Sequence, residues 1–338
     1  MVKVTVVGAS GYLGSELLRI LINHPKVDEI IPVSRSLAGK PVSSLHRNLL
    51  GVCDTKFTDL NLEKIDSDIA FFAAPPGDWF AKLPQVLERG VKAITLGGKF
   101  RIKDAKVDKE VYGGYENSDL LSQRVYGLPE VYRKDIQKAK FVTNPGCYAT
   151  SIILGLLPLA DHKGELETDK VSVVAISGTS GAGAEPTQKM HHPEMSGNIR
   201  PYNTAFHRHT PEIESILNEK FKNLRISFVP IVGDFKRGIL ANSTVYAKAE
   251  KDCAGIYAKY YKNEPFVRVT TDLPEIADVV GSNFCDVHAE YSAASKRVLC
   301  ISAIDNLVKG GSGQAVQNMN IMMKYDEKAG LGLLAGHP

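Results

Sequence analysis

The chain reads as α/β, with a doubly wound parallel sheet in its first part and a mixed α+β arrangement in its second. Three observations carry that expectation. A strand pattern, Val2-Lys3-Val4-Thr5-Val6-Val7, runs directly into Gly8-Ala9-Ser10-Gly11-Tyr12-Leu13-Gly14 and a helix. Strands and helices then alternate as far as Thr143-Asn144-Pro145-Gly146-Cys147, the pattern of a parallel sheet covered on both faces. Beyond Cys147 the pattern changes, and a strand over Val171–Ile176 empties into a run of small residues, Ser177-Gly178-Thr179-Ser180-Gly181-Ala182-Gly183-Ala184.

Taken in order, the first strand, glycine turn and helix supply the context of a Rossmann-type dinucleotide site. There glycines let a pyrophosphate approach the backbone N–H groups of a helix start. The spacing is Gly-x-x-Gly-x-x-Gly; apart from its context it reads equally as a plain strand-to-helix turn. The helix presents Leu13, Leu17, Ile20 and Leu21 on one face and stops at His24-Pro25. The second strand, Glu29–Val33, ends in Ser34-Arg35-Ser36, where an NAD-specific protein carries an acid for the ribose 2′-hydroxyl. An arginine between two hydroxyls suits a 2′-phosphate, so NADP is the expected cofactor.

Strands follow over Asp68–Ala74 and Lys92–Leu96. Between them Pro75-Pro76-Gly77 opens a helix over Trp79–Glu88, closed by Gly90. Trp79 is read as packing. Gly97-Gly98-Lys99-Phe100-Arg101 places Arg101 at the carboxyl edge of the sheet, where ligands of open α/β sheets gather.

Cys147 follows the Pro145-Gly146 turn and precedes an apolar helical run with Ile152, Leu156, Leu157 and Leu159. At a helix start the macrodipole and unpaired N–H groups favour a thiolate, lowering the pKa from about 8.5, and the same N–H groups suit an oxyanion. The small-residue loop from Ser177 offers backbone N–H groups to an anion. Four of the nine histidines lie in His191-His192 and His207-Arg208-His209. Thr210-Pro211-Glu212 reads as a helix start with Thr210 as N-cap, leaving His207 and His209 on the irregular approach to it. Later strands are expected over Ile226–Val229, Ile239–Ala247 and Val298–Ile304, and helices near Asp252–Tyr261 and Gly313–Lys324.

Whole-chain properties narrow the function classes. With 41 lysines and arginines against 38 acids the net charge is +3, which gives no general reason to invoke nucleic acid or an anionic membrane. The five cysteines form no Cys-x-x-Cys pair, so no zinc site or disulfide framework is expected, and no metal. The N-terminus enters a strand pattern at once and no apolar run reaches membrane-spanning length, so a reducing cytoplasm is the expected setting. A short-chain dehydrogenase needs Tyr-x-x-x-Lys, and none of the 13 tyrosines has a lysine four positions on. A non-catalytic nucleotide sensor has no use for a cysteine on a turn beside a histidine cluster.

Five stretches resemble the N-acetyl-γ-glutamyl-phosphate reductases of the aspartate-semialdehyde dehydrogenase superfamily, in family order across nearly the whole chain. They are Gly8-Ala9-Ser10-Gly11-Tyr12, Asn144–Thr150, Ser177–Gly183, His207-Arg208-His209-Thr210-Pro211-Glu212 and Asp305-Asn306-Leu307-Val308-Lys309-Gly310. The resemblance implies an NADPH-dependent acyl-phosphate reductase with Cys147 as nucleophile and His207 or His209 as acid/base. It implies a cofactor held by Ser10, Gly11, Tyr12, Leu13, Ser34, Arg35, Ser36 and Asn306, to which Gly8 of the glycine turn is added; the expected substrate or phosphate contacts are Arg101, Asn144, Ser177, Gly178 and Arg208. The expected division is 1–147 plus about 306–338 for NADP, and 148–305 for substrate and dimerisation, in a dimer or tetramer.

His191-His192-Pro193-Glu194, Arg200-Pro201-Tyr202 and Val280-Gly281-Ser282-Asn283-Phe284 are more similar to the LysY-type branch. That branch implies a glutamyl or 2-aminoadipyl phosphate carried on a small acidic protein, for which Lys189, Arg200, Arg208, Lys236 and Arg237 are a candidate docking rim. Gly97–Arg101 and Ile231–Gly238 depart from the acetylglutamyl pattern, so acetyl-blocked and carrier-linked substrates both stay open, as does an aspartate-semialdehyde dehydrogenase-like activity.

Overall fold

The computed structural model describes residues 1–59, 65–75, 77–113 and 118–336. The chain divides into two compact units, Met1–Pro145 with Gly311–Leu333, and Gly146–Gly310 with Leu334–Pro338. Cys147 therefore travels with the second unit, because the Pro145-Gly146 turn releases a helix that packs on that unit's sheet. Asn306 also belongs there, and the return to the first unit comes at Gly311. Residues 337 and 338 of the expected C-terminal segment, and Pro76 of the expected helix opening, lie outside the described residues.

In the first unit the elements are β1 (Val2–Val7), α1 (Tyr12–Leu21), β2 (Val27–Val33), α2 (Val42–Leu45), β3 (Ile69–Phe72), α3 (Asp78–Glu88), β4 (Lys92–Thr95), α4 (Ala105–Tyr112), α5 (Ser118–Gln123), β5 (Arg124–Tyr126), α6 (Pro129–Ile136) and β6 (Phe141–Thr143). Six parallel strands run in the order β2-β1-β3-β4-β6-β5. The order reverses between β1 and β3, which makes their carboxyl ends the crevice where such sheets bind ligands. One buried cluster includes Phe72, Trp79, Phe100 and Phe141, with Trp79 stacked on Phe72 at 4.7 Å; the tryptophan is packing.

The second unit holds α7 (Cys147–Leu156), β7 (Leu166–Ser177), α8 (His192–Met195), β8 (Ile199–Pro201), α9 (His209–Leu217), β9 (Ile226–Gly233), β10 (Ile239–Ala247), α10 (Cys253–Tyr260), β11 (Val267–Val269), β12 (Cys285–Ser292) and β13 (Arg297–Ile304). Its seven strands form one mixed sheet, β11-β12-β13-β10-β7-β9-β8, with β7 and β9 parallel. α7 lies on β10 and β13 and against α9. α11 (Gly313–Met322) closes the first unit by packing on α1 and α6.

Helix α9 starts at His209, with Arg208 in the N-cap position, so Thr210 is not the cap. The Thr210 N–H donates to the His207 carbonyl at 2.9 Å, drawing it into the first turn. Strands β5, β6, β8, β11 and β12 were not expected: four are only three residues long, too short for a period-2 signal, and β12 carries polar side chains through a buried stretch.

Candidate active site

Cys147 is the first residue of α7 and is half-buried. Gly146 before it is extended and has no side chain with which to cap the helix. Its N–H donates instead to Glu212 Oε1 at 2.9 Å, a fully buried carboxylate on α9. One donor expected to serve an oxyanion is thus committed to holding the turn before Cys147 against α9. Glu212 stood within the quoted histidine motif, but nothing in the sequence marked it as the partner of a backbone group 66 positions away.

A cleft of about 370 Å³ brings together Cys147, Ser177, Gly178, His207, Arg208 and His209. A larger hollow of about 560 Å³ lies beyond His207 and is lined by Ser172, Phe206, Arg225 and Ser227, among others. It contains neither the cysteine nor His209, so the expected catalytic residues gather in the smaller cleft.

The two histidines differ in their surroundings. His207 Nδ1 accepts the His209 N–H at 3.2 Å, so in the neutral ring the proton sits on Nε2. Burial, and then the charge of neighbouring Arg208, push its pKa down to about 4. It is therefore a neutral donor at physiological pH. The His209 ring meets His207 edge-on at 4.9 Å between centroids and Tyr148 at 6.1 Å. Burial drives the Tyr148 phenol far above its usual range; it donates to the Ile231 carbonyl at 2.9 Å and anchors the wall behind the histidines.

The small-residue loop does not offer its leading N–H groups to an anion. Those of Gly178, Thr179 and Ser180 donate to the carbonyls of Gly238, Phe235 and Lys236 at 2.9, 2.8 and 3.0 Å. Two backbone segments run so close here that a Cβ on Gly178 would lie 2.7 Å from the Arg237 nitrogen. Asn306 Nδ2 donates to Ser180 Oγ at 2.9 Å, and its Oδ1 accepts the Gly238 N–H at 2.8 Å. Asn306, an expected cofactor contact, braces this loop.

Two expected substrate ligands have structural work in the first unit. Arg101, 6% exposed, donates to the carbonyls of Asn144 and Leu96, both at 2.9 Å. Phe100 aims it there from a positive φ of 69°, a conformation that costs a bulky residue energy. The Asn144 carboxamide donates to the Gly311 carbonyl and accepts from Asn318 Nδ2, both at 3.0 Å.

The expected cofactor residues fit a dinucleotide. Gly8 has φ +82°, and a Cβ there would lie 2.6 Å from the Ala74 nitrogen, beyond the end of β3. A Cβ on Gly14 would meet the Gly8 carbonyl oxygen at 2.2 Å. The N–H groups of Gly8 and Ala9 hang from the Val33 carbonyl at 3.1 and 3.0 Å, and Ser34 Oγ donates to Ser10 Oγ at 3.1 Å. His46, absent from the sequence expectations, donates to the Ala9 carbonyl at 2.8 Å. Arg35 and Ser36 are exposed beyond β2, Tyr12 opens α1, and no acidic side chain occupies the first turn of α1. Close-approach glycines, a helix start and an exposed arginine are what a phosphorylated dinucleotide requires.

Two family models match. Residues 3–139 match the semialdehyde dehydrogenase NAD binding domain, and residues 147–306 the semialdehyde dehydrogenase dimerisation domain. The N-acetyl-gamma-glutamyl-phosphate reductase of Thermoanaerobacter sp. (strain X514) is 43% identical over 349 residues, covering 100% of both chains. That of Methanosphaera stadtmanae is 41% identical over 345 residues, covering 100% of this chain and 99% of the relative. Among solved structures, aspartate semialdehyde dehydrogenase II from Vibrio cholerae superimposes with a TM-score of 0.72 at 19% identity, covering 96% of this chain and 99% of that one. The fold is that of the semialdehyde dehydrogenases.

Proposed function

The chain belongs to the N-acetyl-gamma-glutamyl-phosphate reductase family of semialdehyde dehydrogenases, and on that premise we propose that it reduces N-acetyl-γ-glutamyl phosphate to its semialdehyde, releasing phosphate. The observation that carries this reading is Cys147 at a helix start, in one cleft with His207 and His209. The Cys147 thiolate bonds to the acyl carbon, the C–O bond to phosphate breaks, and a thioester remains on the protein. NADPH, when bound by Gly8, Ser10, Gly11, Tyr12, Leu13, Ser34, Arg35 and Ser36, supplies the reducing equivalent. Neutral His207, its Nε2–H a donor at the cleft, holds the tetrahedral oxyanion. His209 takes the thiol proton at the start and returns it to sulfur when the oxyanion collapses to the aldehyde.

Arg35 reads the cofactor. Changing Arg35 to Asp is expected to erase the preference for NADPH over NADH, since a charge-assisted contact to a 2′-phosphate contributes about 1.5–3 kcal/mol and the carboxylate adds repulsion. The ratio of kcat/KM for the two cofactors measures this; an unchanged ratio assigns the choice to another residue.

For the acyl group, two basic side chains of the candidate docking rim have partners within the unit. Arg200 pairs with Glu194 at 3.7 Å and donates to the Lys189 carbonyl at 3.1 Å, and Arg237 pairs with Asp305 at 3.0 Å. These contacts support a small blocked substrate over one presented by an acidic carrier protein. Purified enzyme is expected to turn over the free acetylated acyl phosphate efficiently, with a KM nearly flat between low and physiological salt. Activity confined to a carrier-linked substrate, with a KM rising steeply with salt, would reverse the assignment.

The face of the mixed sheet away from α7 supports a homo-oligomer, since Val174 and Tyr246 are 43% and 44% exposed there, with Ile176, Val229 and Ile231 half-buried beside them. A monomeric mass in solution would remove that reading.

A further inference from the structure

Asp305 is fully buried, yet it touches neither the cleft nor the cysteine. Its Oδ1 accepts the N–H groups of Leu307 and Val308 at 2.8 and 3.2 Å. Oδ2 accepts the Gly281 N–H at 2.7 Å and faces the Arg237 guanidinium at 3.0 Å. The turn that begins with this carboxylate closes when the Gly310 N–H donates to the Asp305 carbonyl at 2.9 Å. Lys309, also fully buried, fastens the far end with its ammonium 5.8 Å from the centre of the Phe266 ring. The backbone of Gly310 then lies directly against the nucleophile: a Cβ on Gly310 would be 2.8 Å from Cys147 Cβ and 3.2 Å from its Cα.

We propose that the Asp305–Gly310 turn is the seat of the catalytic cysteine, with the Asp305 carboxylate as the positioning residue that sets how far Gly310 presses on Cys147. Glu212 ties down the backbone N–H just before the cysteine, and this turn fixes the cysteine from the side where a methyl group does not fit. With Gly146 held and Gly310 in contact, the first turn of α7 is confined at two points and Sγ is left little freedom. The same carboxylate holds Arg237, whose backbone neighbours support the Gly178–Ser180 wall of the cleft. One buried acid thus coordinates the nucleophile with that wall. The proposal rests on Cys147 being the nucleophile.

Two variants of the full chain act on the turn from opposite ends. Gly310→Ala forces Cys147 aside, and a displacement on the order of 1 Å from productive geometry is expected to lower kcat about 10²-fold. Asp305→Asn turns an acceptor of three backbone donors, ion-paired with Arg237, into a neutral group that must itself donate, and is expected to lower kcat at least tenfold. In both, KM for NADPH should stay within about threefold of wild type, because the cofactor residues lie in the other unit, and the pH dependence of Cys147 alkylation should shift. Wild-type kcat and an unchanged alkylation profile in a folded variant overturn the proposal, and if one variant fails to fold the other decides. A parallel Cys147→Ser variant separates the two levels. If it stays active, the nucleophile assignment falls; if it is inactive while both turn variants keep wild-type kcat, only the positioning role falls.

Discussion

Cys147→Ser is expected to lower kcat by about 10³-fold or more, the scale on which an activated nucleophile is lost, while NADPH binding is unchanged. A serine at the start of α7 meets the same backbone dipoles but has a hydroxyl whose pKa lies far outside their reach. Single-turnover phosphate release and NADPH titration measure the two halves separately, and near-wild-type turnover would sink the thioester mechanism. Alkylation of the wild-type protein reports on the same sulfur with little interference. Cys253, Cys285 and Cys300 are buried. Burial pushes the thiol of Cys253 up to about 11 and that of Cys300 up to about 12, with the Tyr257 hydroxyl 3.1 Å from Cys300 Sγ. Of the other cysteines only Cys53 is partly exposed, and peptide mapping distinguishes it.

His209→Gln is expected to reduce kcat by about 10²–10⁴-fold, the range for loss of a general acid/base, and His207→Gln by less. With its pKa near 4, His207 is neutral from pH 5 upward. It carries no charge with which to stabilise a thiolate, and its replacement should leave the shape of the kcat/KM profile between pH 5 and 8 unaltered. Glutamine at 207 also retains an amide donor, whereas at 209 it removes the only proton transfer the scheme assigns to a side chain other than the cysteine. A larger loss at 207 than at 209 would exchange the two roles.

The elements legible in the sequence are those whose signal is local. The β1 strand with its glycine turn, the apolar faces of α1 and α7, and the long strands β7, β10 and β13 all declare themselves within a window of ten or so residues. The cleft was legible in part for the same reason. Cys147, Ser177, Gly178 and the two histidines stand in recognisable local settings, and the fold assembles them in one place. Arg101 and Asn144 stood in settings just as suggestive, yet their polar atoms hold the first unit's backbone together. An arginine at a sheet edge looks the same in sequence whether it faces a phosphate or a carbonyl.

By itself the sequence determined the α/β class, the glycine turn after β1 and the placing of Cys147 at a helix start, because periodicity, close-approach glycines and a helix start act over a few consecutive residues. Only the tertiary structure decided which polar groups are left for chemistry. The Gly146 N–H goes to Glu212, the loop N–H groups go to Phe235, Lys236 and Gly238, and His207 Nδ1 goes to the start of α9. Hydrogen-bond capacity is finite and buried groups must be satisfied. Whether a donor serves a ligand or the fold therefore depends on partners that arrive from tens of residues away.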